Sequence, residues 1–361
     1  MIGFYWISIS IFIVENTVFL LSYESVLTLL LNNAFAVPFR LIMSAKNIIW
    51  LDCDPGHDDA MAIILAAMHP SSSLLGISTV AGNQSSEKTH LNARAVLATI
   101  GCQEIPVLRG QDTALLGPMP YCAEIHGESG LDGLDGKPLF SLPAPAPRDP
   151  NWIITWRDII LKEAAAQHQK IHLVCTASLT NVALLLTLCP EIRQHIEISI
   201  MGGAMGIGNT GPVAEFNIEN DPEAAHIVFE SALDITMIPL EVTHTLLADE
   251  VIMKQIGRDT PFRNTICELL NFFRDTYKKV FDFDDPPLHD PAAVFYVLHP
   301  EAFRTKRMRV DIERGSLLSR GQTVCDVYGR SQKPPNARVA LSVDVPLFWK
   351  HMVAAVHAVG K

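Results

Sequence analysis

A chain of 361 residues, 48% hydrophobic and 19% charged, can bury a large core and is too apolar for a disordered protein. Its net charge of −11, without any basic stripe, argues against a nucleic-acid surface. Seven scattered cysteines with no C-x-x-C pair argue against a thiolate metal site and a secreted disulfide framework, and suit reduced thiols in a cytoplasmic protein.

In chain order, the first 45 residues are apolar, but Glu15, Asn16 and Glu24 interrupt them before a clean spanning length of about 20 residues. They lack the basic opening of a secretory signal, although "AFA" at 34–36 has the form of a cleavage site. Met43 opens "MSAKNIIWLDCDPG", a natural start for a soluble enzyme. Residues 1–42 are therefore expected to be a mispredicted or alternatively initiated extension, with a cleaved or anchoring signal as the alternative. Residues 46–361 are expected to form a single catalytic domain without membrane association.

From residue 48 onward, β-branched runs alternate with helical stretches. Strands are predicted over 48–52, 74–80, 171–175, 196–201 and 235–240. Helices are predicted over 60–68, stopped by His-Pro, and over 87–100, with Gly101 just past the end. Further helices are expected over 179–188 and over 222–231, the latter with Asp221 as N-cap and Pro222 in the first position. Residues 110–150 read as an irregular insertion, and 245–300 as mainly helical with 261–281 the longest stretch. This order predicts an α/β fold: a mostly parallel central sheet with helices on both faces, open and doubly wound in the Rossmann-like manner.

Ligands of such sheets sit beyond the carboxyl ends of the strands, and there the polar residues collect. The first strand runs into Asp52 and Asp54, the second into Asn83, and the third into Thr176. The fourth runs into a Gly-rich loop carrying Asn209, Glu215 and Asn217. Asp52 and Asp54 share one side of an extended strand end, while Asp58 and Asp59 fall in the first turn of the next helix, whose macrodipole favours negative charge. Converging carboxylates are a ligand set for a hard divalent cation. Ca²⁺ takes about six to eight oxygens, whereas Mg²⁺ prefers fewer protein ligands. A softer metal would have His57 as its lone local donor. Helix capping is the plainer reading, but one aspartate suffices for a cap.

With D-x-D-P-G-x-D-D-A at 52–60, TVAGN at 79–83, MGG at 201–203, EFN at 215–217 and HDP at 289–291, the chain resembles the inosine–uridine-preferring nucleoside N-ribohydrolases. The likeness spans about 46–350 and closes on "PNARVALSVDVPLFW". It implies Ca²⁺-dependent hydrolysis of the N-glycosidic bond of ribonucleosides in nucleoside salvage, by a homo-oligomer, a dimer or tetramer. It implies that Asp54, Asp59, the backbone carbonyl of Thr176 and Asp290 hold Ca²⁺. Asp58, Asn83, Asn209, Glu215 and Asn217 match ribose-binding residues, and Asp54 matches the general base that deprotonates the attacking water. His289 matches the residue that protonates the departing base, His126 matches a second pocket histidine, and Phe216 and Tyr277 match pocket aromatics. The two histidines point to a tolerant or pyrimidine-favouring enzyme.

Two features need separate handling. The family's TGPLTN reads TASLTN here, with Ala177 and Ser178 in place of Gly and Pro, so the geometry of that turn is not carried over. "DPEAA" at 221–225 and "DPAAV" at 290–294 have the same capping form, and only the resemblance makes Asp290 a ligand rather than a cap. His172, His195 and His244 read as surface or core histidines. Two alternatives compete: a haloacid-dehalogenase-like phosphatase with Asp52 as nucleophile, and a non-catalytic nucleoside binder.

Overall fold

Along the strand that precedes the aspartates, Ile48 and Trp50 pack into one apolar layer while Ile49 and Leu51 pack into another. All four are buried, so both faces of this strand need a cover of helices. The computed structural model describes residues 46–360 and the backbone of two short strands before them. Those strands, β1 (Ile9–Val14) and β2 (Thr17–Ser22), form an antiparallel hairpin within the unit Met1–Ala45. Otherwise the expected status of residues 1–42 lies outside the described residues.

Lys46–Lys361 is the second unit. It opens with β3 (Asn47–Cys53), α1 (His57–Met68), β4 (Ser72–Thr79), α2 (Ser86–Thr99) and β5 (Val107–Arg109). Next come α3 (Ala123–His126), α4 (Trp152–Gln167), β6 (Ile171–Cys175), α5 (Thr180–Leu188) and β7 (Ile196–Met201). The elements α6 (Phe216–Asn220), α7 (Pro222–Phe229), β8 (Ile235–Ile238), α8 (Leu240–Thr243) and α9 (Glu250–Ile256) follow. After them lie α10 (Pro261–Phe281), α11 (Pro291–Leu298), β9 (Phe303–Met308), and the ribbon of β10 (Val310–Ile312) and β11 (Thr323–Cys325). The chain closes with β12 (Ala337–Val343) and α12 (Val345–Ala358).

Eight strands make one sheet in the order β5-β4-β3-β6-β7-β8-β12-β9. All neighbours are parallel except β9, which runs antiparallel to β12. The order runs outward in opposite directions from β3 and β6, so the crevice between their carboxyl ends is the switch point where such sheets bind ligands. Helices α1, α2, α10, α11 and α12 cover the Ile49 face. Helices α4, α5 and α7 cover the other, where Trp50 stacks on Trp156 with ring centroids 5.5 Å apart.

The mostly parallel, two-sided α/β build matches the sequence reading, and the differences are local. The first helix starts at His57 rather than residue 60, because the Asp59 carboxylate accepts the Gly56 N–H at 3.0 Å and closes the first turn. Strand β8 stops at Ile238, since Pro239 has no N–H for a ladder. Helix α7 ends at Phe229, two residues short of the expected end. Strands β5 and β9 and helix α4 were not anticipated. Among the described residues, no helix is long and apolar enough to cross a membrane.

Candidate active site

The site begins at the β3–α1 junction. β3 delivers Asp54 to the switch point, and the first turn of α1 delivers Asp58 and Asp59. From the far end of the chain, Asp290 enters at the start of α11. The carboxylates of Asp58, Asp59 and Asp290 bring oxygens within 4.8 Å of one another, all three buried. Asp54 lies just outside this trio. Its Oδ2 accepts the Asn83 N–H at 2.7 Å, and its Oδ1 is buried with no hydrogen-bond partner. Gly82 permits this approach, since a Cβ there would fall on Asp54 Oδ2.

Asp59 is the most tightly held. Its Oδ2 accepts from Gly56 N–H and from Asn83 Nδ2 at 3.1 Å, and its Oδ1 from Thr176 Oγ1 at 2.8 Å. The Thr176 carbonyl accepts from Asn217 Nδ2 at 3.1 Å. Thr176 thus holds Asp59 with its side chain and Asn217 with its backbone carbonyl. Its turn, whose geometry the sequence did not carry over, is pinned by Thr180 Oγ1 donating to Asp221 Oδ2 at 2.6 Å and by Asn181 Nδ2 donating to Asp52 Oδ1.

The two Asp-Pro sequences separate in the structure. Asp221 caps α7 by accepting the Ala224 N–H at 3.0 Å, whereas Asp290 makes no capping bond and faces the other carboxylates. Its position is explained by something other than helix initiation.

Burying so many like charges has a clear electrostatic signature. Burial, then repulsion from Asp59, raises Asp54 well above the usual carboxylate range. The same two causes push Asp58 up to about 7. Burial takes Asp59 up to about 6 in spite of its hydrogen bonds, and burial with the charges of Asp58 and Asp59 raises Asp290 strongly. No lysine or arginine figures among the main influences on any of the four. A cluster of this kind needs either protons or a cation. The donors are all oxygen, and one of them, Asp54 Oδ1, is an orphaned buried carboxylate atom. That set fits Ca²⁺.

Above the acids lies a cavity of about 260 Å³. Asp58, Asn83, Thr176, Asn217, Glu215 and Asp290 supply polar lining. Ile125, Phe216, Phe273, Tyr277 and Phe281 supply apolar and aromatic lining, and His126 and His289 line it as well. Asn209 also lines it and accepts the Phe216 N–H on its Oδ1 at 2.9 Å. Glu215 caps α6: its carboxylate accepts from Gly203 N–H at 2.7 Å, Asn217 N–H at 2.9 Å and Ile218 N–H at 3.2 Å, while burial pushes it up to about 7. Nine of the ten residues expected to bind substrate or act on it therefore border one cavity, whereas Asp54 and the expected ligand Asp59 do not.

His289 is held on both sides. Its Nδ1 is 2.7 Å from Thr243 Oγ1 and its Nε2 is 2.7 Å from Tyr277 Oη. Burial, then the neighbouring His244, pushes it down to about 3, so the ring is neutral near pH 7. His126 Nδ1 lies 3.3 Å from both the backbone N–H and the Nδ1 of His57. Burial lowers His126 well below the ordinary histidine range.

Sequence reasoning missed several supports. His57 donates from Nε2 to the Asp132 carbonyl at 2.9 Å and stacks on Phe272, with ring centroids 4.7 Å apart. Phe273 and Phe281 were recoverable: with Tyr277 they recur at four-residue intervals on α10, one face of a helix. Asp52, the nucleophile of the phosphatase alternative, is fully buried and bonded to Ser78 Oγ and Asn181 Nδ2, away from the cavity.

Comparison with known proteins points the same way. A family model described as inosine-uridine preferring nucleoside hydrolase matches residues 49–350. A "Probable ribonucleoside hydrolase" of Dictyostelium discoideum is 43% identical over 322 residues, covering 85% of this chain and 94% of that protein. A "Pyrimidine-specific ribonucleoside hydrolase RihA" of Shewanella oneidensis is 41% identical over 299 residues, covering 82% and 92%. Among solved structures, a purine-preferring ribonucleoside hydrolase from Gardnerella vaginalis superposes with a TM-score of 0.77 at 29% identity, covering 87% of this chain and 99% of the other.

Proposed function

The chain belongs to the inosine-uridine preferring nucleoside hydrolase family and is a hydrolase acting on N-glycosyl bonds of ribonucleosides; from that premise we propose a Ca²⁺-dependent enzyme of nucleoside salvage that releases ribose and free base from inosine- and uridine-type substrates. The observation that carries the metal dependence is Asp54 Oδ1, buried without a partner beside three further buried carboxylates. Asp54, Asp59, Asp290 and the Thr176 carbonyl would hold the ion, with Asp58 alongside. When bound, Ca²⁺ lowers the pKa of water and orients a sugar diol.

The chain's own groups supply the rest. Hydrolysis of an N-glycosidic bond passes through an oxocarbenium-like state, so water must lose a proton, the ribose must be gripped and the leaving base must gain a proton. Asp54 takes the proton from water, its carboxylate oriented by the Asn83 N–H on Oδ2. Asp58, Asn83, Asn209, Glu215 and Asn217 grip the ribose, where orientation is worth several kcal/mol. Phe216 and Tyr277 receive the base. Tyr277 and His289 form the proton-delivery pair: a neutral His289 acts through its 2.7 Å contact with Tyr277 Oη rather than as an imidazolium.

Pyrimidine nucleosides are the favoured substrates, a reading supported by the pyrimidine-specific relative and by His126 and His289 in the cavity wall. A cytoplasmic setting accords with seven free cysteines, and assembly as a dimer or tetramer belongs to the same proposal. The test is release of reducing sugar from uridine, cytidine, inosine, adenosine and guanosine. Ribose is expected fastest from uridine and cytidine. Release from none of the five, with tight nucleoside binding, would instead select the non-catalytic binder.

A further inference from the structure

At the opposite end of α1 from the acidic cluster, ~18 Å away for a twelve-residue helix, three histidines meet. His69 is the C-cap of α1, His299 is the C-cap of α11, and His351 lies on α12. One ring nitrogen from each lies within 4.8 Å of the others. The rings of His299 and His351 are 4.1 Å apart at their centroids, and His69 Nε2 is 2.9 Å from His351 Nδ1.

Packed aromatic rings alone do not explain the polar atoms. His299 Nδ1 donates to Glu301 Oε1 at 2.9 Å, which fixes the tautomer and leaves a lone pair on Nε2. That Nε2 is buried and has no partner. A carboxylate behind an imidazole whose far nitrogen is free is the arrangement that orients histidine ligands on a metal. The surroundings favour a cation for a second reason. α1 and α11 both end here, and the negative ends of two helix dipoles converge on the cluster.

We propose that His69, His299 and His351 form a second metal site, for a transition-metal ion of the Zn²⁺ class, which ties the ends of α1 and α11 to α12. Three neutral imidazoles suit Zn²⁺ and other late first-row ions, and are poor ligands for Ca²⁺. Three imidazoles leave the fourth position of a tetrahedral shell for water. Ligation at His69 Nε2 moves that ring's proton to Nδ1 and exchanges the 2.9 Å hydrogen bond to His351 Nδ1 and the 3.2 Å contact from the Ser71 N–H for the metal bond.

The experiment uses the full chain without an affinity tag, stripped of transition metals and saturated with Ca²⁺ so that the acidic cluster is filled. Zn²⁺ is titrated by calorimetry, and Co²⁺ is added in parallel as a visible-absorption probe. The wild type is expected to bind one equivalent of Zn²⁺ more than His299→Ala or His351→Ala, and the strong visible band of four-coordinate Co²⁺ should be present in the wild type and lost in both histidine variants. Glu301→Gln, a change at an exposed side chain, guards against misfolding and should weaken Zn²⁺ binding about tenfold or more. Equal stoichiometry and affinity for Zn²⁺ in the wild type and all three variants would overturn the proposal.

Discussion

Asp58→Asn offers a stability test of the charge crowding that does not depend on turnover. In the metal-free fold, Asp58 is displaced from the ordinary 3.8 to about 7, chiefly by burial and then by Asp59. At about 1.36 kcal/mol per pH unit, ionising it in the fold costs up to ~4 kcal/mol more than in the unfolded chain. The figure is an upper bound, because Asp290 shares the cost. Between these two values the folded state binds more protons than the unfolded one. The stabilisation is therefore complete below the unfolded value and is lost as the pH rises through about 7. Asn carries no such penalty. Urea unfolding with a chelator should make Asp58→Asn more stable than the wild type at about pH 8 by as much as ~4 kcal/mol, and nearly level with it at about pH 4. Adding Ca²⁺ should reverse the order at the higher pH, since the wild type offers the ion one more charge. A metal-free variant no more stable than the wild type at about pH 8 would refute the reasoning.

Other perturbations address separate parts of the site. Asp54→Ala should lower kcat by about 10²–10⁴-fold in a reducing-sugar assay, and near-normal kcat would remove its role as base. His289→Ala and Tyr277→Phe should each slow uridine far more than a nitrophenyl riboside, whose leaving group needs no proton; equal losses on both substrates would end the proton-delivery assignment. Gly82→Ala should weaken Ca²⁺ binding by about 10–100-fold, because its Cβ displaces the Asp54 carboxylate. Unchanged affinity there would show that Asp54 tolerates movement.

The parts legible in the sequence were those set by local spacing. Period two along residues 48–52, a Pro-Gly turn and a helix start place Asp54, Asp58 and Asp59 together without any tertiary information. The alternation of strands and helices gave the parallel sheet, and the strand ends gave one edge for Asn83, Thr176 and Asn217. Asp290 was different. It has the same Asp-Pro form as Asp221, so spacing alone makes both caps; the family resemblance singled Asp290 out, and the fold shows one carboxylate capping a helix while the other meets Asp58 and Asp59. The supports were also hidden: the pairing of His289 with Tyr277 and Thr243, and the stack of His57 on Phe272, depend on how α8, α10 and α11 pack. His69, His299 and His351 are far apart in the chain and carry no spacing signal at all. Strand β9 escaped notice because its burial does not alternate, with charged Arg304, Lys306 and Arg307 in a six-residue edge strand.

Calcium titration of the stripped protein near pH 7.5, read by calorimetry in buffers of different ionisation enthalpy and by uridine turnover at each addition, tests the account at its centre. One ion should bind at the carboxylates, expel protons that burial had held on them, and restore ribose release in proportion to occupancy. Full turnover in the stripped protein, or calcium binding without proton release or recovered activity, would contradict it.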